Sequence, residues 1–127
     1  MTKTIDIRKF AAFAAIAAVL NSIIFLIGKA AKASMMVNQG GSREIILGMV
    51  FGSTFFGLLV AAFAANVIGK KSQSFLAKSP LIGLIFGLVT AAAPISAAKD
   101  SKTGIFLALM HLVAGITWFV GSKRSNQ

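Results

Sequence analysis

The sequence predicts an all-α protein, an integral membrane four-helix bundle with short loops that forms one domain over residues 1–127. Apolar residues make up 57% of the chain and charged residues 13%, and the mean hydropathy is +0.85. A water-soluble chain of this length has too little interior to bury that much apolar surface. The apolar residues fall into four blocks, each of which, at about 1.5 Å per helical residue, is long enough to cross most of a bilayer core.

The first helix is expected over residues 10–27, after the basic residues Lys3, Arg8 and Lys9. The same segment resembles a cleavable leader, because Ala31-Lys32-Ala33 carries the small residues of a cleavage site. Its apolar stretch is longer than the roughly 7–15 residues of a typical leader core. We therefore expect a helix that the protein retains.

The second helix is expected over residues 45–68, after a polar loop in which Gly40 and Gly41 allow the chain to reverse direction. The fourth is expected over residues 103–120, with Gly121 as its stop signal.

The third helix is expected over residues 80–98, because Pro80 suits the first helical position and Ser79 suits the N-cap before it. Pro94 lies inside this helix and cannot donate a hydrogen bond to the carbonyl of Thr90. A kink is therefore expected at Pro94, with one backbone acceptor released at Thr90.

Basic residues dominate the segments between the apolar blocks, where they suit lipid headgroups and attract the anionic lipid of a bilayer. They lack the interleaved aromatics of a nucleic-acid surface, so no nucleic acid is expected as a partner. Four crossings place both termini on one side, which carries eight lysines and arginines against five on the other. This bias predicts a cell-membrane protein with both termini in the cytoplasm, and dual topology is the alternative. The eight are Lys3, Arg8, Lys9, Lys70, Lys71, Lys78, Lys123 and Arg124.

Small residues recur at helical spacing in the apolar blocks, including two GxxxG patterns. Such residues let membrane helices approach closely, so we expect the glycines to pack against other helices, within the chain or in an assembly. These helix-packing glycines are Gly48, Gly52, Gly57, Gly83 and Gly87.

His111 is the one histidine of the chain and falls near the middle of the fourth helix. An imidazole in hydrocarbon needs a hydrogen-bond partner, and several polar residues fall at a similar depth on the other helices. We expect a polar layer at mid-membrane, in which His111 bonds to Asn21, Ser53, Thr54 or Thr90. The layer comprises His111, Asn21, Ser22, Ser53, Thr54 and Thr90.

Chemistry that requires a buried acid or a second histidine is disfavoured. The three acids, Asp6, Glu44 and Asp100, fall near the water, which argues against proton coupling and against a catalytic triad. A single histidine and no cysteine argue against bis-histidine haem and cysteine-ligated metals. We predict no catalytic residue, no metal and no cofactor, and we interpret Trp118 as an interfacial anchor.

Two short motifs are Asn21 with Leu26-Ile27-Gly28-Lys29-Ala30 in the first helix and Met110-His111-Leu112-Val113-Ala114-Gly115 in the fourth. In these motifs the chain resembles a family of small bacterial four-helix membrane proteins labelled as domain of unknown function 6069. The resemblance covers nearly the whole chain and implies the same architecture, without an activity, cofactor or partner.

Two functional hypotheses follow. The first is a non-enzymatic helical bundle that assembles with itself or with a larger membrane partner through its small-residue faces. The alternative is a small transporter or channel with a polar site at mid-membrane. The two differ in whether the polar layer lines a wet cavity or is packed dry.

Overall fold

The computed structural model describes residues 3–126, and four helical spans carry its architecture. Helix α1 covers Ile7–Ala30, α2 covers Leu47–Lys71, and α5 covers Ser101–Arg124. The third span consists of α3, Gln73–Thr90, and the short α4, Ala92–Ala97. Each span is long and apolar enough to cross a membrane.

Capping side chains set where these helices begin. The carboxylate of Asp6 accepts hydrogen bonds from the backbone N–H groups of Arg8 and Lys9, so α1 begins one turn earlier than expected. Asp100 accepts from the backbone N–H of Thr103 and caps α5 in the same way.

The third span corrects the expectation that a helix begins at Pro80. Ser72 is the N-cap, with its hydroxyl accepting from the N–H of Phe75 at 3.2 Å, and Pro80 lies inside α3. Pro80 has no N–H for the carbonyl of Leu76, four residues earlier. The hydroxyl of Ser79 donates to that carbonyl at 2.8 Å, which helps the helix to tolerate the proline.

The helix is interrupted by a turn at Ala91, three residues before Pro94, and resumes in α4. A proline disturbs the turn that precedes it, which accounts for the position of this break. The two pieces still form one membrane-length span over Gln73–Ala97.

A β-hairpin that the sequence reading did not anticipate joins α1 to α2. Strand β1, Met36–Asn38, pairs antiparallel with β2, Ser42–Glu44. Gly40 and Gly41 lie in the turn with φ angles of +67° and +136°, which residues with a side chain rarely adopt. We call this end of the bundle the hairpin face.

The N- and C-terminal segments of residues 3–126 meet at the other end of the bundle, which we call the terminal face. Ile5 pairs with Asn126, and the N–H of Asp6 donates to the carbonyl of Ser125 at 2.8 Å. Asn66 of α2 bonds both peptide groups of Ile5, accepting at 2.7 Å and donating at 2.9 Å. The chain ends are therefore tied to α2 and α5.

The helices pack in the order α2, α1, α5 and then α3 with α4. Two apolar clusters fill the interior, one towards the terminal face around Phe10 and Trp118, and one towards the hairpin face around Phe25 and Met35. Large apolar side chains also cover the outside, where Phe86 is 69% exposed and Val60 is 66% exposed. That outer surface suits lipid rather than water.

Candidate functional site: a cleft between α2 and α3

Helices α2 and α3 are joined through the single residue Ser72, yet they leave a cleft between them. Two adjoining cavities make up this α2–α3 cleft, the terminal-side one bordered by α3 and the hairpin-side one by α4. The terminal-side cavity has a volume of about 470 Å³, and the hairpin-side cavity has a volume of about 430 Å³. Ser53, Thr54, His111 and Ala114 line both cavities, so the two meet at mid-depth.

Most residues of the predicted polar layer lie on this cleft. Asn21 lines the hairpin-side cavity, as does Pro94, and Thr90 lines the terminal-side cavity. Ser22 lines neither cavity and instead donates to the carbonyl of Ala18, in its own helix, at 2.7 Å.

Asn21 ties three helices together at the centre of the bundle. Its Nδ2 donates to the hydroxyl of Thr54 on α2 at 3.0 Å and to the carbonyl of Met110 on α5 at 3.2 Å. Asn21 is 2% exposed, and within residues 3–126 its Oδ1 has no hydrogen-bond partner. One buried acceptor beside the hairpin-side cavity is thus left without a donor.

Within residues 3–126, His111 makes no direct hydrogen bond to Asn21, Ser53, Thr54 or Thr90, the partners expected from the sequence. His111 Nδ1 lies 2.9 Å from the carbonyl oxygen of Leu107, one turn earlier in the same helix. Because that carbonyl can only accept a hydrogen bond, Nδ1 carries the hydrogen. The other ring nitrogen, Nε2, takes no part in this bond. His111 lies at mid-depth of the cleft, as its position in the sequence suggests, but its Nδ1 bonds to a nearer acceptor, the Leu107 carbonyl of α5.

Two other members of the layer also bond within their own helices. The hydroxyl of Thr90 donates to the carbonyl of Phe86 at 2.7 Å, and the exposed Ser53 makes a 3.4 Å bond to the carbonyl of Val50. Such bonds back to the preceding turn satisfy a hydroxyl without joining helices. The layer therefore has one interhelical junction, at Asn21.

The five glycines that were expected to pack against other helices differ between α3, where a side chain would clash, and α2, where it would not. A Cβ at Gly83 would lie 2.0 Å from Cδ1 of Trp118, and one at Gly87 would lie 2.8 Å from Cα of Gly115. Three of the four glycines of α2 differ, since a Cβ at any of these three would meet nothing described within 4 Å. Their expected packing within this chain is wrong, because they face outwards or into the cleft. They are Gly48, Gly52 and Gly57.

Trp118 also departs from its expected role as an interfacial anchor. Its side chain is 6% exposed, and its Nε1 donates to the carbonyl of Ser79 at 2.7 Å. The ring meets Phe10 edge-on with 5.4 Å between centroids. Trp118 packs α5 against α1 and α3, because Gly83 leaves room for an indole there.

Sequence reading missed Asn66 and Gln73, whose amides hold the N-terminal segment. Asn66 was detectable as an amide in an apolar helix, but its partner was not.

Among known proteins, a family model described as a family of unknown function, DUF6069, matches residues 2–127. No curated protein and no solved structure matches the chain.

Proposed function

The chain belongs to DUF6069, a family of unknown function, and we propose a function for it that rests on the geometry of the α2–α3 cleft. The protein is a non-enzymatic membrane bundle that assembles with a second copy or with a larger membrane protein. A transmembrane helix of that partner enters the α2–α3 cleft. The open space beside Gly57 is the observation that carries this proposal.

The α2 wall of the cleft has little side-chain bulk. Gly57 is followed at helical spacing by Ala61 and Ala64, and all three are exposed and line the terminal-side cavity. Small residues let two backbones approach closely, which supplies dispersion contacts in a solvent where the hydrophobic effect does not drive helices together. The hydroxyl of Ser53, which lines the same cavity, donates to the carbonyl of Val50, and its oxygen can accept a hydrogen bond from a partner helix.

A substitution that fills the cleft without entering the folded interior tests this proposal. Gly57→Leu adds a side chain where a Cβ would meet nothing described within 4 Å. The matched control is Val60→Leu, on the lipid-facing side of the same helix, where the side chain is 66% exposed.

We expect Gly57→Leu to abolish chemical cross-linking to the partner in native membranes while thermal stability in detergent stays at the wild-type value. Val60→Leu should cross-link as the wild type does. Retention of all cross-links in Gly57→Leu, or a wild type that yields none, would contradict assembly through the cleft.

A second candidate, a small transporter or channel, is favoured by one specific observation. The buried Oδ1 of Asn21 has no partner within residues 3–126, and His111 and Thr54 line the adjoining cavity. A permeating cation coordinated by that oxygen, or a permeating group that donates a hydrogen bond to it, would satisfy the oxygen. Proteoliposomes that conduct Na⁺, K⁺ or H⁺ with the wild type and lose flux with Asn21→Leu would support this candidate. Absence of flux with the wild type would remove it for those ions.

We also propose that the chain resides in the cell membrane with its terminal face in the cytoplasm. The support is the distribution of lysine and arginine, eight against five.

A further inference from the structure

A third cavity, away from the cleft, lies on the terminal face between the first turns of α3 and the last turns of α5. Its volume is about 390 Å³. Lys3 and Lys123 line it, and none of its lining residues is acidic. Neither lysine pairs with a carboxylate of residues 3–126. Two positive charges therefore border one concave site without a neutralising partner in the described chain.

The backbone of Lys3 is fixed at the edge of this cavity. Its N–H donates to Oε1 of Gln73 at 2.9 Å, and Nε2 of Gln73 donates to the carbonyls of Gly69 and Lys3 at 2.8 and 3.4 Å. Two residues on, Asn66 holds both peptide groups of Ile5. A ligand at the Lys3 ammonium thus needs to order only a side chain, which lowers the entropic cost of binding.

Lys123 is also directed towards the cavity. Its Nζ lies 4.7 Å from the ring centroid of Phe119, which lines the same cavity. A cation–π contact of this kind holds the ammonium against the protein surface.

Polarity changes with depth along both walls. On α5, Lys123 is followed one turn deeper by Phe119, and on α3, Gln73 is followed by Ala77 and Leu81 at successive turns. A cationic rim above an apolar wall matches an amphiphile, with its anionic group at the rim and its chain along Leu81 and Phe119. A soluble anion or an acidic peptide would leave the apolar wall without a ligand.

We propose that this cavity binds one anionic phospholipid, with the phosphate between Lys3 and Lys123 and an acyl chain against the α3–α5 wall. This site is independent of the cleft and of any partner that the cleft receives.

Native mass spectrometry of the detergent-solubilised chain, titrated with dioleoyl phosphatidylglycerol or dioleoyl phosphatidylcholine, tests the proposal. The first variant is Lys3→Gln with Lys123→Gln. The matched control is Lys70→Gln with Lys71→Gln, which removes the same charge from exposed residues at the end of α2 outside the cavity.

We expect the wild type to bind phosphatidylglycerol more tightly than phosphatidylcholine. The Lys3 and Lys123 double variant should lose roughly thirtyfold in affinity, since each lysine beside an anionic lipid contributes about a factor of five. The control should lose less than about tenfold, because its lysines do not line the cavity. Equal losses in both double variants, or equal binding of the two lipids, would overturn the proposal.

A third variant tests the apolar wall without changing charge. Ala77→Phe places a ring in the cavity from an exposed position on α3, and Ala92→Phe places one at an exposed position on α4. We expect Ala77→Phe to lose phosphatidylglycerol binding and Ala92→Phe to retain it. Wild-type binding by Ala77→Phe, or full competition by soluble glycerol phosphate at equal concentration, would show that no acyl chain is seated there.

Discussion

The indole Nε1 of Trp118 donates a 2.7 Å hydrogen bond to the carbonyl oxygen of Ser79, which joins α5 to α3 inside the bundle. The ring occupies the space that a side chain at Gly83 would need. The buried hydroxyl of Ser79 meanwhile donates to the carbonyl of Leu76, left without its usual donor by Pro80. Ser79 therefore supports both the irregular turn of α3 and the contact with α5.

Gly83→Ala is expected to lower the free energy of unfolding by about 1–3 kcal/mol, the usual cost of overpacking. Its Cβ would lie 2.0 Å from a buried, hydrogen-bonded ring that cannot move without breaking the bond to Ser79. Unfolding in detergent with a denaturing surfactant measures this change. Gly52→Ala is the control, because nothing described lies within 4 Å of its Cβ. Equal stability of the two variants would contradict the close packing of α3 on α5.

The hairpin face predicts a dependence of stability on acid pH. Asp100 accepts side-chain hydrogen bonds from Ser34 and Thr103, and these lower its pKa from 3.8 to about 2. Because the folded-state pKa is depressed, the stabilising contribution is present above pH 3.8 and is lost as the pH falls towards 2.

Unfolding of the wild type and of Asp100→Asn, compared from about pH 7 down to about pH 2, measures this contribution. The wild type should be the more stable near neutral pH, and the difference should shrink only below about pH 4. A difference that shrank between pH 7 and 5, or that persisted unchanged at pH 2, would show that the Asp100 network is not its source.

The proposed orientation predicts which exposed positions react from outside the cell. The chain has no cysteine, so single cysteines report one site each. We expect an impermeant maleimide to label Ser42→Cys, on the hairpin face, in intact cells, and to label Asn126→Cys, on the terminal face, only after permeabilisation. The opposite pattern would reverse the orientation, and labelling of both positions in intact cells would indicate dual topology.

The helices and their depth were predictable because length and apolar content determine how a segment crosses a bilayer. Depth placed Asn21 and Thr54 at the same level, and the two are hydrogen-bonded. The spacing of small residues did not predict which face of each helix packs against its neighbours. Gly52 and Gly87 stand in similar GxxxG patterns, yet a Cβ at Gly87 would meet Gly115 and one at Gly52 would meet nothing described.

Local competition for hydrogen bonds explains other differences. Ser79 and Pro80 carry the signature of a helix start, but Ser72 caps the helix two turns earlier. The hairpin was not predictable from the sequence, because each strand has only three residues and β2 is polar throughout. At α3 an earlier capping side chain prevails over the Ser79–Pro80 pattern, and in the hairpin the pairing between the two strands decides the structure.

Asn21 and His111 differ in the expected cost of substitution, although both line the hairpin-side cavity. Asn21→Leu removes two hydrogen bonds that join α1 to α2 and α5. At about 0.6 kcal/mol for each interhelical bond in a membrane protein, we expect a loss of roughly 1 kcal/mol in the free energy of unfolding.

His111→Phe removes a side-chain hydrogen bond within α5. The carbonyl of Leu107 still accepts the helical hydrogen bond from the backbone N–H four residues later. We therefore expect His111→Phe to cost less than about half of what Asn21→Leu costs. Unfolding of both variants in the same detergent measures the order, with Ser22→Ala, which also loses only a bond within its own helix, as the control. A larger loss for His111→Phe than for Asn21→Leu would mean that His111, and not Asn21, is the residue that joins the helices at mid-membrane.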